Sequence, residues 1–445
     1  MPSNAVEPNL SSLTASILTL GCKVNQFESA AIRTRMTEAG FIIVPPGNPA
    51  DVTVINTCTV THKADWEVRA LARRAHRANP AVQTVLTGCL AQLRPDEMAT
   101  LPNVALVIGQ DQKGAIPELL ENIAPGDEPQ IFLTPPGSMG RISDLGYPVF
   151  DRTRAFFRIQ DGCSAWCTYC TIPRARGPSR SLEKEFVLAG LREYARAGYA
   201  EVVLTGIHLG AWGWDLTPPG ELTDLIGAVL DEKGGPRLRL SSIEPNEVTD
   251  RLAAMFHHSE RLCPHMHLPL QSGSDRILAA MHRSYTAAQF KDLVHRLTAD
   301  HPDFCLGVDI LVGFPGEDQS AFEETRALVA DLPVAYLHVF PYSRRPGTPA
   351  ASRPDQVPAG EIKRRVAVMR AIGLTKRQGF LQRCIGEVRP TLIENSVDRS
   401  TGLARGVTDH YVTVLLVDRH PPANTIIPVR LIRELPNHRL LGRGI

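Results

Sequence analysis

The chain has 445 residues, enough for two or three domains, and its 43% apolar content supports buried cores. A net charge of +1 supplies no global field toward nucleic acid or a membrane surface, so any basic surface must be local. Nine cysteines spread along the chain argue against a disulfide framework and for a reducing compartment with metal ligation. No run nears the roughly 18 apolar residues of a membrane span, and Met1 to Ser16 lacks a signal pattern, so a soluble cytoplasmic protein is expected.

Over about residues 1–145 one plan occurs three times. Ile17 to Gly21 runs into Cys22, Val52 to Thr57 into Cys58, and Val82 to Gly88 into Cys89. Each run is short, β-branched and suited to a buried parallel strand. Helical patterns follow over about 27–39, 62–78 and 94–100. A strand at 104–108 and a helix over about 111–123 complete an open parallel α/β sheet. Crossovers of one hand bring the carboxyl ends of neighbouring strands to one rim, so the three cysteines are expected to converge there. One buried thiol would be ordinary; three in the same topological position point to a three-cysteine metal cluster. Asn25 and Glu28 make a capping-box pattern for the following helix. Lys23 either offsets cluster charge or faces solvent.

An apolar strand at 155–159 precedes the loop Cys163-Ser164-Ala165-Trp166-Cys167-Thr168-Tyr169-Cys170. Loops at the carboxyl ends of strands are where α/β folds place their chemistry. Three thiolates leave one iron of a [4Fe-4S] cubane open, the mark of a catalytic centre. Zinc would want a fourth local ligand, and His208, the nearest histidine downstream, belongs to the next strand end. Zinc and redox thiols stay open as alternatives on the residues alone. Further strands at 201–205, 237–243, 265–268, 306–312 and 335–340 alternate with helices through about residue 378. These six βα units imply a partial barrel.

Within it, Thr205-Gly206 ends a strand, and Gly206 allows close backbone approach by a ligand. Ser242 and Glu244 can bond a ribose or a methionyl group, or can belong to a helix start near Pro245. Asp309, in an apolar strand, needs a partner; it faces either substrate or a lumen arginine such as Arg174. Ser274 suits a helix cap, and Cys263 and Cys305 read as core.

A basic helix at about 360–378 leads into short strands at 387–389, 391–393, 402–407, 411–417 and 425–431. They read as a small OB-like β-barrel over 379–445. Nine arginines stand against six acids there, a local charge of +3. Tyr411 is its main aromatic, which suits phosphate contacts to structured RNA better than base stacking.

The C-x3-C-x2-C spacing, with Tyr169 before the last cysteine, resembles the radical S-adenosylmethionine enzymes. The whole chain resembles the methylthiotransferases of that superfamily. The motifs run Thr19 to Gln26, Asn56-Thr57-Cys58, Thr87-Gly88-Cys89, Cys163 to Cys170, Ile172-Pro173-Arg174-Ala175-Arg176-Gly177 and Leu204 to His208. They continue through Ser241 to Pro245, His267 to Ser274 and Asp309 to Glu317. The resemblance implies an N-terminal methylthiotransferase domain (1–145), a radical domain (146–378) and a TRAM RNA-binding barrel (379–445). Gly21-Cys22-Lys23-Val24-Asn25-Gln26 looks like the branch acting on N6-threonylcarbamoyladenosine beside the tRNA anticodon. Pro178-Ser179-Arg180-Ser181 departs from the more basic ending common in relatives.

The resemblance further implies two [4Fe-4S] clusters. One, on Cys163, Cys167 and Cys170, binds S-adenosylmethionine and starts radical chemistry at carbon 2 of the adenine. The other, on Cys22, Cys58 and Cys89, holds or donates sulfur. Tyr169, Thr205, Gly206, Ser242 and Glu244 are expected to bind S-adenosylmethionine. The implied partners are the tRNA anticodon stem-loop, an electron donor such as flavodoxin or ferredoxin, and a sulfur source; a monomer without membrane attachment is expected. Alternative readings are the same chemistry on isopentenyladenosine or on a ribosomal-protein aspartate, and a non-catalytic iron–sulfur RNA-binding protein.

Overall fold

β-Branched runs dominate the N-terminal part, and in the computed structural model they stack as parallel strands. The structure describes residues 13–124, 126–299, 301–417 and 421–445. Most of the Met1 to Ser16 segment, and Asp418 and Arg419 of the basic barrel, lie outside the described residues. Contact density divides the chain into two units. The first comprises Met1–Val149, Asp161–Ala165 and Cys170–Arg180; the second comprises Phe150–Gln160, Trp166–Tyr169 and Ser181–Ile445.

In the first unit six strands lie in the order β2-β1-β3-β4-β5-β6, all parallel. They are β1 (Thr14–Thr19), β2 (Ile42–Ile43), β3 (Val52–Thr57), β4 (Gln83–Gly88), β5 (Val104–Ile108) and β6 (Gln130–Phe132). The helices are α1 (Lys23–Glu38), α2 (His62–Ala78), α3 (Cys89–Leu93), α4 (Pro95–Ala99), α5 (Ile116–Leu120) and α6 (Ile172–Arg176). One apolar layer joins Ile17, Val54 and Ile108 to Ile32, Met36 and Ile116. The opposite layer joins Ile55, Leu86 and Val107 to Val68, Ala72 and Met98. Strands covered on both faces explain the continuous apolar runs.

Several local expectations shift. Helix α1 begins at Lys23 with Cys22 at its N-cap, so Asn25 and Glu28 sit inside the first turns and are buried. They form no capping box. The helix expected at about 94–100 is α4, and a further short helix, α3, precedes it across Arg94. The edge strands β2 and β6 are too short to leave a periodic signal.

The second unit begins with β7 (Ala155–Arg158); the two-residue extended segments β8 (Gln160–Asp161) and β9 (Arg180–Ser181) each have one residue in either unit. Then come α7 (Lys184–Arg196), β10 (Glu201–Thr205), α8 (Leu222–Asp231), β11 (Arg237–Leu240), α9 (Asp250–His258) and β12 (His265–Gln271). Helices α10 (Asp275–Ala280) and α11 (Ala287–Ala299), β13 (Cys305–Val312), α12 (Gln319–Asp331) and β14 (Tyr336–Pro341) complete the alternation. The parallel strands form two three-stranded sheets, β11-β10-β7 and β12-β13-β14. Bridges Leu238–Leu262 and Ser242–His267 join them into one curved wall. Its free edges are β7 and β14, so the barrel is open along one side.

The 26-residue helix α13 (Ala359–Cys384) leads to a closed barrel, β15-β16-β17-β19-β18. Its strands are β15 (Val388–Val397), β16 (Ala404–Thr408), β17 (Thr413–Leu416), β18 (Ile426–Leu435) and β19 (Arg439–Gly444). The two short strands expected at 387–389 and 391–393 are one strand. Pro390, which lacks an N–H, disguises their continuity, and its carbonyl still accepts from Asp409 N–H.

This barrel docks on the amino ends of β10 and β11 through buried charge. Glu201 is fully buried between Arg237 (2.7 Å) and Arg239 (2.9 Å). Arg237 donates onward to the carbonyls of Pro390 (3.0 Å) and Val407 (2.9 Å), and Arg239 to those of Asp409 (2.7 Å) and Thr408 (3.1 Å). Burial alone would raise the Glu201 carboxyl, but the two guanidiniums hold it well below the usual range. Two arginines in a central strand are stable here because every guanidinium nitrogen meets an acceptor.

Candidate active site

Three strand ends of the first unit turn sharply into a cysteine. Gly21 has φ +101°, and a Cβ there would lie 3.0 Å from Cys58 Cβ. Gly88 has φ +94°, and a Cβ there would lie 2.5 Å from the Thr57 carbonyl oxygen. Both positions need glycine for conformation and for space. The turns leave Cys22 exposed at the α1 cap and bury Cys58 and Cys89. The Thr57 hydroxyl accepts from Leu90 N–H (3.1 Å) and Ala91 N–H (3.2 Å), which fixes the start of α3 and with it Cys89.

Behind these sulfurs lies a buried charge network. Arg176, fully buried on α6, donates through Nε to Cys89 Sγ (3.3 Å). Its other nitrogens donate to Glu28 Oε1 (2.9 Å), Asp161 Oδ1 (2.8 Å) and Asn25 Oδ1 (2.7 Å). Lys113 Nζ reaches Glu28 Oε2 at 2.5 Å and Gln110 Oε1 at 2.6 Å. Gln110 in turn faces Cys89 Sγ at 3.7 Å. Burial lowers the Lys113 ammonium's affinity for its proton, and Glu28 opposes that. Arg180 also reaches Asp161 Oδ2 (3.7 Å), so three cations face two carboxylates and leave a positive charge behind the sulfurs. Burial alone, with the neighbouring thiols, pushes the Cys58 thiol up to about 12.

That chemistry fits a metal cluster. Side-chain donors of Arg176 and Gln110 point at Cys89 Sγ, as a ligating thiolate requires, and Cys22 and Cys58 follow the neighbouring strand ends on the same rim.

The second cysteine set lies on the loop from Cys163 to Cys170, where all three thiols are partly accessible. In the first unit, Cys163 N–H donates to the Gly177 carbonyl (3.1 Å), and Ile172 N–H approaches Cys170 Sγ (3.5 Å). In the second unit, Arg283 Nη1 donates to Cys167 Sγ (3.4 Å) and pairs with Glu244. Burial pushes the Glu244 carboxyl up, against the pull of Arg283. Glu244 is therefore linked to the cysteine loop through an arginine. Tyr169 packs edge-on against Phe314 with ring centres 6.3 Å apart.

Of the other expected ligand-binding residues, Thr205 is buried at the end of β10 and Ser242 is exposed beyond β11. Gly206 admits the side chain of Gln160, whose Oε1 would lie 2.7 Å from an added Cβ and accepts from His208 N–H. Of the two readings of Asp309, the arginine partner is corrected: among the described residues its ion-pair partners are histidines. It contacts His267 Nε2 (2.8 Å) and His338 Nδ1 (3.4 Å) from the two neighbouring strands. Tyr336 Oη bonds both His267 Nδ1 (3.3 Å) and His265 Nε2 (2.9 Å). Register explains the clustering: Asp309 pairs with Pro269 on one side and His338 on the other. Arg283, Lys113 and Gln160 escaped the sequence reading; only their distant partners mark them.

A family model described as "Uncharacterized protein family UPF0004" matches residues 14–109, and one described as "Radical SAM superfamily" matches residues 157–329. The threonylcarbamoyladenosine tRNA methylthiotransferase MtaB of Aquifex aeolicus is 35% identical over 89% of this chain and 95% of its own length. Its namesake from Bacillus subtilis is 35% identical over 94% of each chain. The chain belongs to the radical S-adenosylmethionine methylthiotransferase family. A further relative, tRNA-2-methylthio-N(6)-dimethylallyladenosine synthase of Chromobacterium violaceum, is 31% identical over 96% of this chain and 98% of its own. Among solved structures, the radical S-adenosylmethionine methyltransferase TsrM from Kitasatospora setae shares the fold, with a TM-score of 0.54 and 15% identity over 76% of this chain and 77% of that one. As a methylthiotransferase of this superfamily, the chain uses [4Fe-4S] clusters, two in all, and S-adenosylmethionine. Among the described residues no helix is long and apolar enough to cross a membrane.

Proposed function

We propose that this methylthiotransferase acts on tRNA and places a methylthio group on carbon 2 of N6-threonylcarbamoyladenosine at position 37. The observation that carries the reading is the near full-length likeness to relatives named for that nucleoside, at 35–36% identity in four of them. The run Gly21-Cys22-Lys23-Val24-Asn25-Gln26 agrees with it.

In this reading Cys163, Cys167 and Cys170 hold one cluster and Cys22, Cys58 and Cys89 the other. When bound, these groups supply one-electron cleavage of S-adenosylmethionine and the sulfur to be transferred. The chain's own residues set their surroundings. Arg176 donates to a sulfur of the N-terminal set and Arg283 to one of the loop set. Tyr169, Thr205, Gly206, Ser242 and Glu244 shape the S-adenosylmethionine site, with Glu244 held by Arg283. The lumen side chains His267, Asp309 and His338 face the flipped base. The C-terminal barrel, as a TRAM-like module, contacts the anticodon stem through its arginines. An electron donor such as flavodoxin or ferredoxin and a sulfur source complete the cycle.

The test is mass spectrometry of tRNA nucleosides from a strain deleted for this chain. Loss of 2-methylthio-N6-threonylcarbamoyladenosine, restored by the wild-type chain, is expected. Loss of a methylthio-isopentenyl nucleoside instead would overturn the substrate assignment.

A further inference from the structure

Helix α13 ends in Cys384, and its last turn meets the β16–β17 turn of the C-terminal barrel, which carries His410. Both side chains are buried, and the Phe380 ring lies edge-on to the His410 ring with centres 5.6 Å apart. Glu387 stands three residues after Cys384, its amide N–H donating to the Cys384 carbonyl (3.2 Å). The chain thus brings a thiol, a carboxylate and an imidazole to one point. His410 Nε2 lies 3.8 Å from Cys384 Sγ and 3.7 Å from Glu387 Oε2. One donor atom from each of the three residues falls within 4.8 Å of the other two.

The imidazole is poorly served by these neighbours alone. Its Nδ1 has a close partner in Thr408 Oγ1 at 2.8 Å. Its Nε2 has none so close. As a donor, Nε2 faces a carboxylate beyond the ordinary N–H···O range of about 2.7–3.2 Å, and a sulfur that accepts only weakly. As an acceptor, it turns a lone pair toward that carboxylate. A cation between the three donor atoms resolves both cases.

The spacing agrees. Around a zinc ion, with bonds of about 2.3 Å to sulfur and about 2.0–2.2 Å to nitrogen or oxygen, tetrahedral edges are roughly 3.3–3.6 Å. The observed separations need only a small inward movement. The surroundings agree as well. A ligating imidazole has its other nitrogen anchored, and a ligating carboxylate is itself hydrogen-bonded. Here Thr408 anchors Nδ1, its hydroxyl accepting from Val412 N–H (2.9 Å), and Arg389 Nε donates to Glu387 Oε2 (2.9 Å). The Glu387 side chain is 34% exposed, which gives water access to a fourth position.

We infer that Cys384, Glu387 and His410 bind one zinc ion, with water as the fourth ligand. Thiolate, imidazole and carboxylate together suit zinc, which such donors hold more tightly than ferrous iron. On binding, the thiol gives its proton to solvent and leaves the Phe380 carbonyl to which it now donates (3.2 Å). The ion ties the end of α13 to the turn whose Thr408 and Asp409 carbonyls receive Arg239. It therefore fastens the C-terminal barrel at its seat, and neither cysteine set of the active site takes part.

The test uses the full chain with both clusters reconstituted, so that the cysteines of the two sets are occupied, incubated with zinc sulfate and desalted. One zinc per chain is expected by elemental analysis, with zinc-edge X-ray absorption showing a single sulfur ligand among lighter ones. Added zinc should raise the thermal midpoint of the wild type. Thr408→Val keeps the three ligands but loses the anchor, and should weaken zinc binding roughly 10- to 100-fold. Cys384→Ser and Glu387→Ala should lose more than that, with their iron content unchanged. Glu387 is partly exposed, so its variant retains the fold even if a buried substitution does not. No zinc on the iron-replete wild type would overturn the inference. So would zinc bound by two or more sulfurs, which would place it among the cluster cysteines. Zinc held at wild-type strength by Glu387→Ala would show an adventitious ion only and overturn it equally.

Discussion

The guanidinium of Arg176 donates from Nε to the sulfur of Cys89 at 3.3 Å, while its remaining nitrogens hold Glu28, Asp161 and Asn25. Arg176 follows the loop of one cysteine set and touches a member of the other set. A hydrogen bond to a ligating sulfur stabilises the reduced, more negative cluster and so raises its potential. Arg176→Lys should shift the midpoint of the N-terminal cluster to more negative values in an EPR-monitored redox titration; an unchanged midpoint would remove the arginine from this role. Arg176→Met should also cost folding stability, at most roughly 3–5 kcal/mol, because Glu28 keeps Lys113 alone and Asp161 only the longer contact to Arg180 (3.7 Å). Urea unfolding of the cluster-loaded protein measures that.

The two cysteine sets should separate cleanly by their products. Cys167→Ala is expected to abolish 5′-deoxyadenosine formation altogether. Cys58→Ala should still cleave S-adenosylmethionine and yield no methylthio nucleoside. Normal methylthio product from Cys58→Ala would dismiss the N-terminal set as a sulfur-transfer site.

How far the sequence speaks depends on how local the cause is. Each cysteine sits after a short β-branched run, so strand, turn and thiol are visible together, and parallel topology then brings Cys22, Cys58 and Cys89 to one rim. The role of Arg176 is invisible in the same sequence, since its partners Glu28, Asn25 and Cys89 are 148, 151 and 87 positions away. Arg237 and Arg239 likewise look like charges misplaced in a strand until the carbonyls of Pro390, Val407, Thr408 and Asp409 are seen beneath them. Strand β19 escaped notice because it holds two glycines and no β-branched residue; Gly442 is there because a Cβ would lie 2.6 Å from side-chain carbons of both Val414 and Val429.

Asp309 carries a pH dependence. Burial alone would raise its carboxyl, but His267 and His338 outweigh that and bring it from the ordinary 3.8 down to about 2. A depressed folded value means that the stabilisation is complete above about pH 4 and is lost as pH falls through about 2. On the order of 2 kcal/mol is involved. Wild type should therefore lose urea stability more steeply than Asp309→Asn between those limits, followed by tryptophan fluorescence. Parallel slopes would show that the two histidines do not hold the carboxylate in solution.

Gly88 tests whether the turn before Cys89 is required for the N-terminal set. Its φ of +94° disfavours any side chain, and a Cβ would meet the Thr57 carbonyl oxygen at 2.5 Å. Thr57 cannot withdraw cheaply, because it is buried in β3 and its hydroxyl caps α3. Gly88→Ala should thus destabilise the first unit by roughly 1–3 kcal/mol and displace Cys89 from Cys22 and Cys58. The sharper readout is iron. After anaerobic reconstitution the variant is expected to keep roughly four of the eight irons that two [4Fe-4S] clusters contain, with 5′-deoxyadenosine formation retained at the other cysteine set. A full complement of iron in a folded Gly88→Ala protein would show that cluster assembly tolerates a displaced Cys89.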